Sequence, residues 1–124
     1  MTRKIKRYDP TNLIKAIEKW PNPMYDKRHG YYIYVEGRAR SNQSRVEHIV
    51  KRGHDLKVRD LDLVPEGISK YVSYKKDPRY KNTYNYYLKR AGNDRGFIKV
   101  SIRYSKKRPT IAWIKTIFIV YKIK

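Results

Sequence analysis

At 124 residues the chain has the length of one domain with a modest core. Its 31 Lys and Arg outnumber 11 Asp and Glu, a net charge of +20; such an imbalance costs self-repulsion in the compact state and points to a polyanionic partner, nucleic acid first and an anionic membrane second. With no cysteine, disulfides and thiolate metal sites are excluded.

The first seven residues carry four cations and read as a frayed or electrostatic arm, with no apolar core behind them to make a signal segment. Asp9-Pro10 reads as an N-cap and first helical position, followed by the apolar stripe Leu13, Ile14, Ile17 and Trp20. Residues 24–30 read as irregular, with a turn at His29-Gly30, and residues 31–35 as a strand. Ser44-x-x-Glu47 has capping-box spacing, and Val46, Ile49 and Val50 make the stripe of a short helix stopped by Gly53. Its other face gathers Arg45, His48, Lys51 and Arg52. Residues 56–64 allow a second short helix, with a turn at 65–67.

From residue 70 the chain reads as an antiparallel meander with strands at 71–74, 83–88 and 97–104. Residues 111–121 are apolar on both parities, the mark of a central strand covered on both faces. That run contains Lys115 and is too short to span a bilayer as a helix, so no membrane partner and a cytoplasmic protein are expected. The expectation is one α+β domain over residues 1–124. Short N-terminal helices pack on a mainly antiparallel sheet of four to five strands, residues 1–40 forming a basic extension before a core at 41–124.

The chemistry is bounded by what is missing. His48 and His54 are not an i, i+4 pair, and the few nearby carboxylates do not cluster, which disfavours a divalent-metal site. No phosphate loop or nucleophile elbow is present, and no cofactor is implied. Metal-free RNA cleavage asks for less, because the 2′-OH is the nucleophile. The protein then supplies a base, an acid and cations. His48 among its cations suits a neutral base, and His54 beyond a helix C-terminus suits an acid, although the roles could be exchanged. Arg52 and Lys99 would hold the phosphate. A solvated helix face accounts equally for His48, and a cap of free carbonyls for His54. Thirteen Tyr against two Trp suit unstacked bases, although Tyr also favours half-buried strands. The nucleic-acid-binding candidates are Arg45, Lys51, Lys99, Arg103, Tyr84 and Tyr86.

The stretch from His48 to His54, then Leu63-Val-Pro-Glu-Gly-Ile68, Tyr71, Phe97-Ile-Lys-Val-Ser-Ile102 and Trp113-Ile-Lys-Thr-Ile-Phe-Ile-Val120, resembles the barnase/EndoU/colicin/RelE-like nuclease superfamily. It is most similar to the branch encoded by phages and mobile elements, over about residues 44–121. The resemblance implies an antiparallel sheet with packed helices and metal-independent endoribonuclease activity leaving a cyclic phosphate. It carries catalytic roles onto His48, Arg52, His54 and Thr116, with Lys99 and Tyr121 at positions that vary within the group. The chain differs in placing Gly53 directly before the second His. Two alternatives stay open. One is a non-catalytic binder of RNA or a ribonucleoprotein, such as a phage inhibitor of a host defence complex. The other is a toxin held by an acidic antitoxin or immunity-type protein.

Overall fold

The computed structural model describes residues 11–35, 45–52, 55–108 and 110–123, those at 51 and 52 by their backbone alone. In chain order they form α1 (Thr11–Glu18), β1 (Met24–Asp26), β2 (Tyr31–Tyr34), α2 (Arg45–Arg52) and α3 (Val58–Gly67). A 3-10 turn at Ile68–Lys70 leads to β3 (Ser73–Lys76), β4 (Thr83–Lys89), β5 (Phe97–Tyr104) and β6 (Ile111–Val120). The expected cap at Asp9-Pro10, the cap at Ser44 and the stop at Gly53 lie outside the described residues.

The fold is α+β, as expected, but the mainly antiparallel sheet of four to five strands is corrected to a curled sheet of six strands that is mixed through one parallel pair. Its order is β1-β2-β6-β5-β4-β3, and β2 runs parallel to β6 with Ile33 opposite Ala112. A parallel pair needs a long crossover, and α2, α3 and the strands β3 to β5 lie in the chain between these two strands. The three residues of β1 are too few to show alternation, so the sequence reads there as irregular. Residues 11–35 thus add a helix and two strands to the common core and sheet.

Alternation fixes which side of each strand meets that core. Leu88, Ile98 and Ile119 fall in one register row, and Tyr86, Val100 and Ile117 in the next. With Ile102, Ile114, Ala112 and Ile33 they form the inner face. Leu13 and Ile17 of α1, Ile49 and Val50 of α2, and Leu61 and Val64 of α3 fill it. Each such side chain contributes about 1.5–3 kcal/mol by leaving water. α3 corrects the expected turn at 65–67, because it continues through Pro65 to Gly67. Proline cannot donate to the carbonyl four residues back, that of Leu61. The indole N–H of Trp20 donates to that oxygen instead, at 2.8 Å.

The curl brings the β1–β2 turn against the segment before β3, and tyrosines make the seam. Asp26 is fully buried, and its carboxylate accepts from the Tyr86 hydroxyl at 2.5 Å and from the backbone N–H groups of Arg28 and His29. The imidazole of His29 stacks on Tyr74 with ring centroids 4.1 Å apart, and its Nε2 lies 2.8 Å from the Tyr71 hydroxyl. Tyr74 in turn stacks on Tyr84 at 4.7 Å and donates to the Tyr31 hydroxyl at 3.2 Å. Arg28 covers the Tyr71 ring at 4.4 Å. Burial and these partners push the Tyr74 and Tyr86 phenols well above their ordinary value.

Candidate nucleic-acid interface

The other side of the sheet receives none of the buried helix side chains, which all join the inner core. Register places its residues in rows that cross the sheet. Tyr34, Trp113, Arg103 and Thr83 make one row. Thr116, Ser101, Asn85 and Lys75 make the next, and Phe118, Lys99, Tyr87 and Ser73 the third. Aromatic rings and cations therefore interleave. Lys99 Nζ stands 5.1 Å from the centre of the Phe118 ring.

The middle row is a polar chain that fixes a loop. Ser101 Oγ donates to Asn85 Oδ1 at 2.6 Å, and Asn85 Nδ2 donates to Asp77 Oδ2 at 3.1 Å. Asp77 Oδ1 accepts the backbone N–H groups of Arg79 and Tyr80. Burial pushes the Asp77 carboxyl up, but these hydrogen bonds and the charge of Lys99 outweigh it, and its pKa falls below the ordinary value. The loop so held carries Tyr80 to Lys115, whose Nζ lies 4.1 Å from the ring centre.

Two clefts open at opposite ends of β5 and β6. The first, at the β5–β6 turn, is lined by Lys81, Asn82, Arg103, Tyr104, Lys106 and Trp113, and no carboxylate lines it among the described residues. The second, at the far end, is lined by Asp55, Lys57, Arg90, Asp94, Arg95 and Tyr121. There the charges are internally matched. Asp94 Oδ1 takes Arg59 at 2.6 Å and Lys57 at 3.5 Å. Buried Arg90 holds both oxygens of buried Asp60 at 2.9 Å, and this pairing raises its pKa. Gly96 shapes this end with φ +89, because a Cβ there would stand 2.7 Å from the Val120 carbonyl oxygen.

The sequence candidates are scattered over this frame. Lys99 and Arg103 lie on the outer face. Thr116 pairs with Ser101 there, whereas α2, which carries His48, packs its apolar stripe into the inner core. β6 therefore lies between that helix and the Thr116 side of the sheet. A bulge turns Thr116 outward: the register steps from Ile102 opposite Ile114 to Ser101 opposite Thr116, and the strand changes parity across Lys115. Arg45, expected to bind nucleic acid, donates from its Nη1 to the Lys115 carbonyl at 3.0 Å. Tyr86 is corrected, being buried with its hydroxyl on Asp26 and offering no face to a base. Tyr84 is half-buried in the seam. Tyr121 sits at the matched cleft, its hydroxyl 3.4 Å from Asp55. His54 and the side chains of Lys51 and Arg52 lie outside the described residues.

Sequence reasoning missed Trp113, Lys81 and Lys106 as one constellation. The signal available was the basic turn at 105–109 directly before an aromatic-bearing strand, which reads equally as a solvated hairpin end. It also missed His29 as a seam residue. Among the described residues no three His, Asp or Glu gather as around a metal ion, and no helix is long and apolar enough to cross a membrane. Compared with protein-family models, curated proteins and solved structures, the chain matches none. The nuclease resemblance therefore rests on the residues quoted for it.

Proposed function

We propose that the chain binds single-stranded RNA on the outer face of its sheet. One observation carries this reading: Trp113, Phe118, Lys99 and Arg103 interleave on a face that, among the described residues, receives no apolar helix side chain of the core, and it ends in a cleft whose three cations share its described lining with no carboxylate. Rings that stack bases beside cations that follow the backbone are what unpaired RNA requires. Binding of labelled oligoribonucleotide, followed by anisotropy across a salt series, tests it. The three cleft cations alone predict a slope of log K on log salt of about −2, at about −0.7 for each phosphate contacted on a single strand. A slope near zero contradicts the reading. The same surface suits a ribonucleoprotein target, including a phage inhibitor's host complex, while an acidic antitoxin would compete for it.

Metal-independent cleavage is the second reading, with general acid–base roles for His48, Arg52 and His54. It is favoured by the hydrogen bond of Tyr121 to Asp55, the residue that follows His54 in the chain. Digestion of total RNA in EDTA with analysis for 2′,3′-cyclic ends tests it. Equal cleavage by a His48→Ala, His54→Ala double variant removes it.

A further inference from the structure

We infer that the cleft at the β5–β6 turn is a subsite for one unpaired nucleotide, its base on the indole of Trp113 and its phosphate among Arg103, Lys81 and Lys106. This rests on the RNA-binding reading and narrows it. A site for a bare polyanion needs cations alone, but here a half-buried indole is built into the wall. Trp113 is held on both sides, by Tyr34 across the parallel pair and Arg103 across the antiparallel one. Directly opposite residues stand with Cβ atoms about 5 Å apart, so Trp113 and Arg103 spring from adjacent positions on one face. That neighbourhood matches a nucleotide, whose charge is attached to the edge of a flat apolar body.

The opposite wall is equally fixed. Asn82 adopts φ +56, and its carbonyl accepts the Tyr104 backbone N–H at 2.9 Å. Asn82 itself lines the cleft, and an amide side chain carries one donor group and one acceptor that a base edge can use. The loop that carries Lys81 and Asn82 is tied down through Asp77 and Asn85. The cleft therefore has a stacking surface, a hydrogen-bonding edge and an unmatched cationic rim. An acidic peptide would neutralise the rim and leave the indole unused.

The two tryptophans make the test direct. Trp20 is buried with its indole N–H on Leu61, while Trp113 lines the cleft. The intact protein is titrated at low salt with a nucleoside 5′-monophosphate, with the nucleoside and with inorganic phosphate, and tryptophan emission is followed. The monophosphate is expected to quench wild type and to leave Trp113→Phe emission unchanged. Arg103→Ala keeps both tryptophans and should weaken the monophosphate several-fold. Displacement of a labelled oligoribonucleotide should require about tenfold more inorganic phosphate than monophosphate, the share of one stacked base. Equal potency of phosphate and monophosphate overturns the subsite, leaving only an anion site. Oligoribonucleotide binding without any Trp113 quench also overturns it while the RNA-binding reading survives. If neither ligand binds, both fail.

Discussion

The two clefts at opposite ends of β5 and β6 contain similar residue types and differ in how their charges are matched. At the far end Lys57 and Arg59 share Asp94, and Arg90 is locked on Asp60. At the β5–β6 turn, Lys81, Arg103 and Lys106 line a cleft without a carboxylate among the described residues. A cation already paired inside the fold holds elements together, whereas one facing open solvent beside an indole is available to a phosphate. A net charge of +20 says that an anion is needed. The pairing pattern says where.

The largest way to break this contrast is Asp60→Ala. It leaves the guanidinium of Arg90 buried without its partner, and should cost about 3–5 kcal/mol of stability in urea unfolding. RNA affinity of the folded fraction should not change. Tyr86→Phe is next, since it takes one donor from the buried Asp26 carboxylate; about 1–3 kcal/mol of stability should be lost. The same seam predicts an alkaline limit. The raised phenols of Tyr74 and Tyr86 favour the fold fully below about pH 10, their unfolded value, and that contribution is lost as pH rises above it. In an absorbance titration their ionisation should therefore coincide with unfolding.

Trp113→Ala should have the reverse profile of Asp60→Ala, with RNA binding weaker by about 1–3 kcal/mol and the cooperative unfolding transition kept. Loss of folding without loss of binding in the folded fraction would make Trp113 a core residue. The smallest effect belongs to Asp77→Asn, about 1 kcal/mol of stability. Asp77 has a lowered pKa, so its contribution is complete above about pH 4 and disappears as pH falls through the folded value. The difference between wild type and variant should therefore close under acid, as unfolding curves between pH 2 and 6 would record.

The helices α1 and α2 and the strands β4, β5 and β6 were legible because each repeats an apolar pattern over several turns or pleats. The parallel pairing of β2 with β6 was not, since no local signal marks a partner supplied by a distant crossover. Pro65 reads as a turn because the donor that satisfies the Leu61 carbonyl in its place, Trp20, is 41 residues from Leu61. The site was less legible than the fold. One bulge at Lys115 decides the face to which Thr116 and Phe118 turn, and alternation read through β6 without it misplaces them. The tyrosine excess suggests base stacking, yet much of it closes the seam of the curled sheet through contacts between residues some 40–60 apart. The rings left for a ligand on the outer face include Trp113, Phe118 and Tyr34, in the company of Tyr80.

The central claim is that unmatched cations, and not total charge, mark the RNA site. Two triple variants carry equal charge changes and test it in one binding experiment. Lys81→Ala, Arg103→Ala, Lys106→Ala removes the cations of the open cleft, and Lys57→Ala, Arg59→Ala, Arg95→Ala removes three at the far end, two of them paired with Asp94. Measured by anisotropy with the same oligoribonucleotide over one salt series, the first should lose affinity and flatten the salt slope by about 2. The second should keep the wild-type slope. Equal losses in both variants, or a larger loss in the second, would contradict the account.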